Sequence, residues 1–109
     1  MSKFKKDSNG LVAAIVQDAV TSEVLMLGYM NDESISLTMR DNEVWFYSRS
    51  RQELWHKGAT SGNTLTVVDM YKDCDADAIL IKAKPAGPTC HTGNVSCFYR
   101  KIEATDLKD

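Results

Sequence analysis

The sequence predicts a β-rich α+β fold: a mainly antiparallel sheet with one clear short helix. Two observations carry that reading. Short apolar runs rich in β-branched and aromatic residues recur along the chain, each bounded by turn-forming residues. Only one segment combines helical apolar spacing with a capping residue at its start.

The runs "LVAAIVQDA" and "EVLMLGYM", separated by "VTS", predict a hairpin near the N-terminus. In "NDESISLTMRDN", Asn31 or Asp32 can cap a helix over residues 32–40, with Ile35 and Met39 on one face. "EVWFYS" is a strand by composition. "RQELWHKG" is expected to form one or two helical turns closed by Gly58, with His56 a partly exposed helix residue. "TLTVVDMY" and "AILIKAK" are two further strands, the second ended by Pro85. The loop "PAGPTCHTGN" leads into "VSCFYRKIE", whose alternation predicts a final strand.

A chain of 109 residues makes one domain, residues 1–109, with frayed ends expected at about 1–9 and 104–109. Its core is modest, so pairing with a second copy would add considerable stability. The formal charge of −2 argues against a nucleic-acid partner. No apolar run reaches the roughly 18 residues of a membrane span, so no membrane partner is expected. The start "MSKFKKDSNG" does not read as a signal peptide. With three cysteines, an odd number, the expectation is a reducing cytoplasmic setting with free or metal-bound thiols.

All three cysteines, Cys74, Cys90 and Cys97, fall in "DCDADAILIKAKPAGPTCHTGNVSCFYR". They lack the close C-x2-C pairs of a structural zinc ribbon, and three protein ligands with an open position is how catalytic zinc is held. Buried apolar thiols are the plainer alternative. A structural site with His91 as fourth ligand is another, strained by the adjacency of Cys90 and His91. Asp73, Asp75 and Asp77 alternate, so in an extended segment their carboxylates share one face opposite Cys74. Carboxylates suit a hard cation such as Mg2+ and thiolates suit zinc, so two metals would explain two chemistries side by side. An acidic solvent-facing turn is the alternative.

"YSRSRQELWHKGATSGN" carries Arg49, Arg51, Lys57, Thr60, Ser61 and Gly62. Guanidinium forks and small residues flanked by glycine suit an anionic, phosphate-bearing small molecule. Trp45 and Trp55 suit the core, or stacking on a base. His91 is the candidate proton carrier, its unperturbed pKa of about 6.5 being suited to that work. The H-x-E with P-C-x-x-C signature of a zinc nucleobase deaminase is absent, since Thr89 separates Pro88 from Cys90 and Gly93 stands three after it. A zinc-stabilised interaction module is the non-enzymatic alternative, and it would unfold on loss of zinc.

"AIVQDAVTSEVLMLGYMN", "WFYSRSRQELWHKGATSGN", "DCDADAILI" and "GPTCHTGNVSCFY" together resemble the phosphoribosyl-AMP cyclohydrolase family of histidine biosynthesis, over residues 10–99. The resemblance implies zinc-dependent hydrolytic opening of the adenine ring of phosphoribosyl-AMP between N1 and C6, giving the formimino-carboxamide ribonucleotide. It implies Zn2+, one per subunit, at Cys74, Cys90 and Cys97, and Mg2+ at Asp73, Asp75 and Asp77. It also implies an intertwined homodimer whose zinc takes thiolates from both subunits. Ala59 departs from the family pattern, which often has Glu there; no metal position is changed.

Overall fold

In the computed structural model, residues 3–107 are described; Met1, Ser2, Lys108 and Asp109, within the expected frayed ends, lie outside them. Strands β1 (Val12–Asp18) and β2 (Val24–Met30) form the expected hairpin. Its turn is held by the Asp18 carboxylate, which accepts from the backbone N–H of Val20 and Thr21. Alternate residues of β1, Val12, Ala14 and Val16, are buried, as half-buried strand geometry requires.

Helix α1 (Asp32–Asp41) begins at Asn31, which exchanges a capping box with Ser34, and ends at Asn42 in the left-handed region. Its buried face is not the expected Ile35/Met39 stripe. Ser34, Ile35 and Thr38 face inward and Met39 is 72% exposed. The Thr38 hydroxyl donates to Ser34 O and accepts from Trp45 N–H, so this polar residue of the buried face is satisfied.

Strand β3 (Trp45–Ser48) follows, and its partner β4 (Glu53–His56) occupies the segment expected to be helical. The tight turn at Gln52, with φ of 54°, reverses the chain. Two cross-strand ring contacts then hold the pair, Phe46 on Trp55 at 5.4 Å and Trp45 on His56 at 4.7 Å. Such pairs are the unit of sheet stabilisation, and here they override the local helical reading.

Strands β5 (Leu65–Lys72) and β6 (Ala78–Pro85) complete a four-stranded sheet of order β2-β1-β6-β5. Its pairs are antiparallel except β1 with β6, which are parallel. The β3–β4 ribbon is a second sheet, joined to β5 by the Glu43–Thr66 bridge and by Val44 N–H donating to Leu65 O.

The expected final strand does not form. Residues 95–103 are irregular, pinned to β2 by Cys97 N–H on Leu25 O at 2.7 Å and Ser96 Oγ on Val24 O at 2.7 Å. Their alternation exposes Val95, Phe98, Tyr99 and Ile102 to solvent rather than burying them. At the other end, Phe4 packs on the core and Lys5 N–H donates to Ala76 O. No helix among the described residues is long and apolar enough to cross a membrane.

The core lies between the main sheet, α1 and the ribbon, around Val16, Leu25, Met30, Val44, Phe46, Leu65 and Ile81. Phe46, 1% exposed, lies against Gly28, where an added Cβ would stand 2.6 Å from its ring. Burial of that ring contributes about 1.5–3 kcal/mol. Gly28→Ala is therefore expected to lower stability by roughly 1–3 kcal/mol through overpacking. Urea denaturation measures this, and an unchanged midpoint would show that the ring moves freely.

Candidate active site

The loop carrying Cys90 and His91 turns as both side chains need if they are to serve one site. Thr89 N–H donates to Val95 O, Cys90 N–H to Asn94 O, and Gly93 N–H back to Cys90 O. Gly93 has a φ of +92°, a conformation that costs a side-chain-bearing residue and favours glycine. The facing loop is folded equally tightly. Gly58, with φ of +85°, lies so close to the Asn63 backbone that an added Cβ would stand 2.5 Å from it.

Between these loops lies a cavity of about 510 Å³ whose wall includes Arg51, Trp55, His56, Lys57, Thr60, Ser61, Cys90 and His91. Four of the six expected anion-binding residues thus share a wall with one thiol and with His91, the expected proton carrier. Arg49 lies elsewhere, its guanidinium 3.9 Å over the Tyr29 ring beside a separate groove. Gly62 closes the loop by donating its N–H to Gly58 O. His91 is exposed and has no hydrogen-bond partner among the described residues. Trp55 is 40% exposed, and Trp45 donates its indole N–H to Asp41, so neither is a fully buried core residue.

Lys57 differs from a solvated phosphate ligand. It is buried, and its Nζ donates to Thr89 O at 2.7 Å, tying the two loops together. Lys57→Met is expected to cost roughly 1.5–3 kcal/mol, the range for a hydrogen bond to a charged group. A denaturation midpoint within error of the wild type would remove this bracing role.

Cys90 is buried and accepts a hydrogen bond from Thr92 Oγ1 at 3.0 Å. That bond, with the Thr92 backbone, holds the Cys90 thiol below its usual range; Cys97 and the Lys57 cation act in the same sense. Burial pushes Cys97 up, and its hydrogen bond with Cys90 adds to this. The two thiols are therefore neighbours that act on each other, Cys90 held down and Cys97 pushed up.

Cys74 is exposed on the β5–β6 turn. That segment is not extended: residues 73–77 form a turn with Ala76 at φ of 58°, so the aspartates do not alternate across a strand. Asp73 Oδ1 accepts from Asp77 N–H and Ala78 N–H, closing the turn. The hydrogen bond between the Asp73 and Asp77 carboxyls, with those N–H groups, holds Asp73 below its usual range. The same contact raises Asp77, as do burial and the negative charges of Asp73 and Asp75. Among the described residues no three His, Cys, Asp or Glu side chains form a group able to hold a metal ion. One chain brings two thiols together and two carboxyls together, each pair short of a full ligand set.

Three contributors were not read from the sequence. Thr92 supports Cys90 from two residues on, a spacing that allows such a local bond. Asn63 fills the space between Gly58 and Gly87. His56 binds Glu43, Nε2 to Oε1 at 2.8 Å, a pairing hidden by the helical reading of β4.

The sequence pattern defining the family described as Phosphoribosyl-AMP cyclohydrolase matches residues 26–99. The chain is 60% identical over 101 residues to the Phosphoribosyl-AMP cyclohydrolase of Lacticaseibacillus casei (strain BL23), covering 92% of each chain. It is 56% identical to the protein of the same name from Sphingopyxis alaskensis, across 90% of this chain and 78% of that one. It also matches the Histidine biosynthesis bifunctional protein HisIE of Caldanaerobacter subterraneus, 54% identical over 94% of this chain but only 50% of that protein. With its own loops matching that pattern across the whole candidate site, the chain belongs to the phosphoribosyl-AMP cyclohydrolase family.

Proposed function

We propose that this chain opens the adenine ring of phosphoribosyl-AMP by hydrolysis between N1 and C6, giving the formimino-carboxamide ribonucleotide. As a member of its family it is a hydrolase of histidine biosynthesis. The observation that carries the finer reading is the shared wall of the loop cavity: a supported thiol and a histidine on one side, Arg51, Thr60 and Ser61 on the other. That arrangement suits a ligand with phosphate at one end and a ring to be attacked at the other.

Cys90 and Cys97 fit zinc, since they are neighbouring thiols, the Lys57 cation favours the ionised form of each, and thiolates select that metal. The third thiolate of the set is Cys74 of a second copy, because this chain's own Cys74 is exposed on the β5–β6 turn and does not line the cavity that Cys90 lines. The exposed apolar residues Phe98, Tyr99, Ile102 and Leu107 support such a homodimer by offering it a surface to bury. Asp73, Asp75 and Asp77 fit magnesium: a cation would relieve the crowding of three carboxylates on one short turn. Zinc, when bound, supplies a Lewis acid that makes water a nucleophile near neutral pH.

The chain's own residues do the rest. Arg51, Thr60 and Ser61 hold phosphate, Lys57 braces the loops, and His91 handles a proton at the reacting carbon. The exocyclic nitrogen stays in the product as a carboxamide, so the bond that breaks is to N1. The setting proposed is the cytoplasm.

A spectrophotometric assay with phosphoribosyl-AMP, zinc and magnesium tests this, with ammonia measured in parallel. Ring opening without ammonia is expected; ammonia release, or no reaction, would overturn the reading. Chelation followed by circular dichroism separates a catalytic zinc, whose loss leaves the fold, from a structural one, whose loss unfolds it.

Asp75→Asn is expected to weaken magnesium dependence and substrate use while zinc content stays near one per subunit, because thiolates and carboxylates serve different ions. Zinc content falling in step with activity would show that the two sites are one.

A further inference from the structure

We propose that His56, oriented by Glu43, is a second proton-handling residue of the cavity, accepting the proton of the attacking water at Nδ1. The inference rests on the ring-opening reading above and assigns one step within it.

Two histidines line the cavity. His91 is exposed and unpartnered among the described residues, whereas His56 is fixed on two sides. Its ring stacks on Trp45, 4.7 Å between centroids and 9° from parallel, and its Nε2 lies 2.8 Å from Glu43 Oε1. Glu43 is itself held, paired across to Thr66 of β5. A carboxylate at Nε2 keeps the proton of the neutral ring on that nitrogen and leaves Nδ1 as the acceptor. Nδ1 has no hydrogen-bond partner among the described residues. A base oriented by a third group is the arrangement that recurs where water or a hydroxyl must lose a proton.

The surroundings of the ring are mixed in charge. Glu43 faces it directly, and Asp41, bound to Arg40 and to the Trp45 indole, acts on it from the end of α1. Lys57 follows it in the chain, and Arg51, Cys90 and His91 share its cavity. In the proposed step the water oxygen bonds to C6 as its proton passes to His56 Nδ1. The C6–N1 bond then breaks as N1 takes that proton from His56, and the hydroxyl proton left at C6 passes to the exocyclic nitrogen, giving the carboxamide. One water is consumed, its two protons ending on N1 and on the exocyclic nitrogen.

The test uses the full chain with zinc and magnesium supplied. His56→Ala is expected to lose at least ~100-fold in kcat with little change in KM. Added imidazoles are expected to restore part of that loss in proportion to their basicity, which a merely structural role would not produce. Glu43→Gln is expected to give a smaller loss, again in kcat. His56→Gln, which keeps the side-chain bulk, serves if the alanine variant does not fold. Nitrogen NMR of the wild-type protein should find the His56 proton on Nε2. Wild-type turnover in a folded His56 variant, a loss that no imidazole restores, or a proton on Nδ1 would each overturn the proposal. A wild-type protein that does not open phosphoribosyl-AMP would instead overturn the reading on which it rests.

Discussion

Cys90→Ser and Cys97→Ser are each expected to lose zinc and essentially all ring-opening activity, and Cys74→Ser should do the same. The set is minimal: the chain has three thiols, and a catalytic zinc takes three protein ligands. Serine preserves size but does not ionise near neutral pH, so it offers the metal no thiolate. The variants should differ in what else they disturb. Cys90 is buried and bonded to Thr92, so its replacement changes the loop interior; Cys74 is exposed, so its replacement should leave the subunit's stability near that of the wild type. Metal analysis with urea denaturation reads both. A Cys97→Ser protein that keeps zinc and full activity would remove the metal assignment.

The same separation of thiols yields a sharper test. If each zinc takes Cys74 from one subunit and Cys90 with Cys97 from the other, mixing Cys74→Ser with Cys90→Ser should regenerate some intact sites. In a heterodimer one site receives both substitutions and the other receives none. Partial activity after subunit exchange is the expected result. Exchange verified by mass spectrometry without recovered activity would count against sharing.

The strands were legible where apolar alternation and turn residues agreed, as in the β1–β2 hairpin, β5 and β6. The failures have one cause: partners distant in sequence decided the conformation. "RQELWHKG" became β4 because Phe46 and Trp45 offered rings for Trp55 and His56 to stack on, and no local pattern announces that. "VSCFYRKIE" has the alternation of a strand, but within one chain only Ser96 and Cys97 find hydrogen bonds on β2. Its apolar residues remain outside the core, where an alternating pattern meant for a partner surface would leave them.

The residue types of the loop were readable because thiols, a histidine, arginines and glycines carry chemistry in their identity. Their geometry was not. The charge of Lys57 was readable, but its burial and the bond to Thr89 that braces the loops were not. The aspartates looked like a strand face until Asp73 turned its carboxylate onto the backbone of Asp77 and Ala78.

His91→Ala is expected to keep zinc and the dimer while turnover falls at least ~100-fold, the low end for general acid–base catalysis. Removal of the imidazole should cost little stability, since His91 is exposed and bonds to no described residue. The Cys90 turn beside it is held instead by Thr92, Gly93 and Asn94, all untouched by the substitution. The loss should fall on kcat, because a proton carrier acts in the transition state, whereas the role proposed for Arg51 and the small residues opposite is to hold the bound substrate. Steady-state kinetics beside zinc analysis separates these effects. A folded, zinc-loaded His91→Ala protein within a few-fold of wild-type kcat would leave His91 a wall of the cavity and no more.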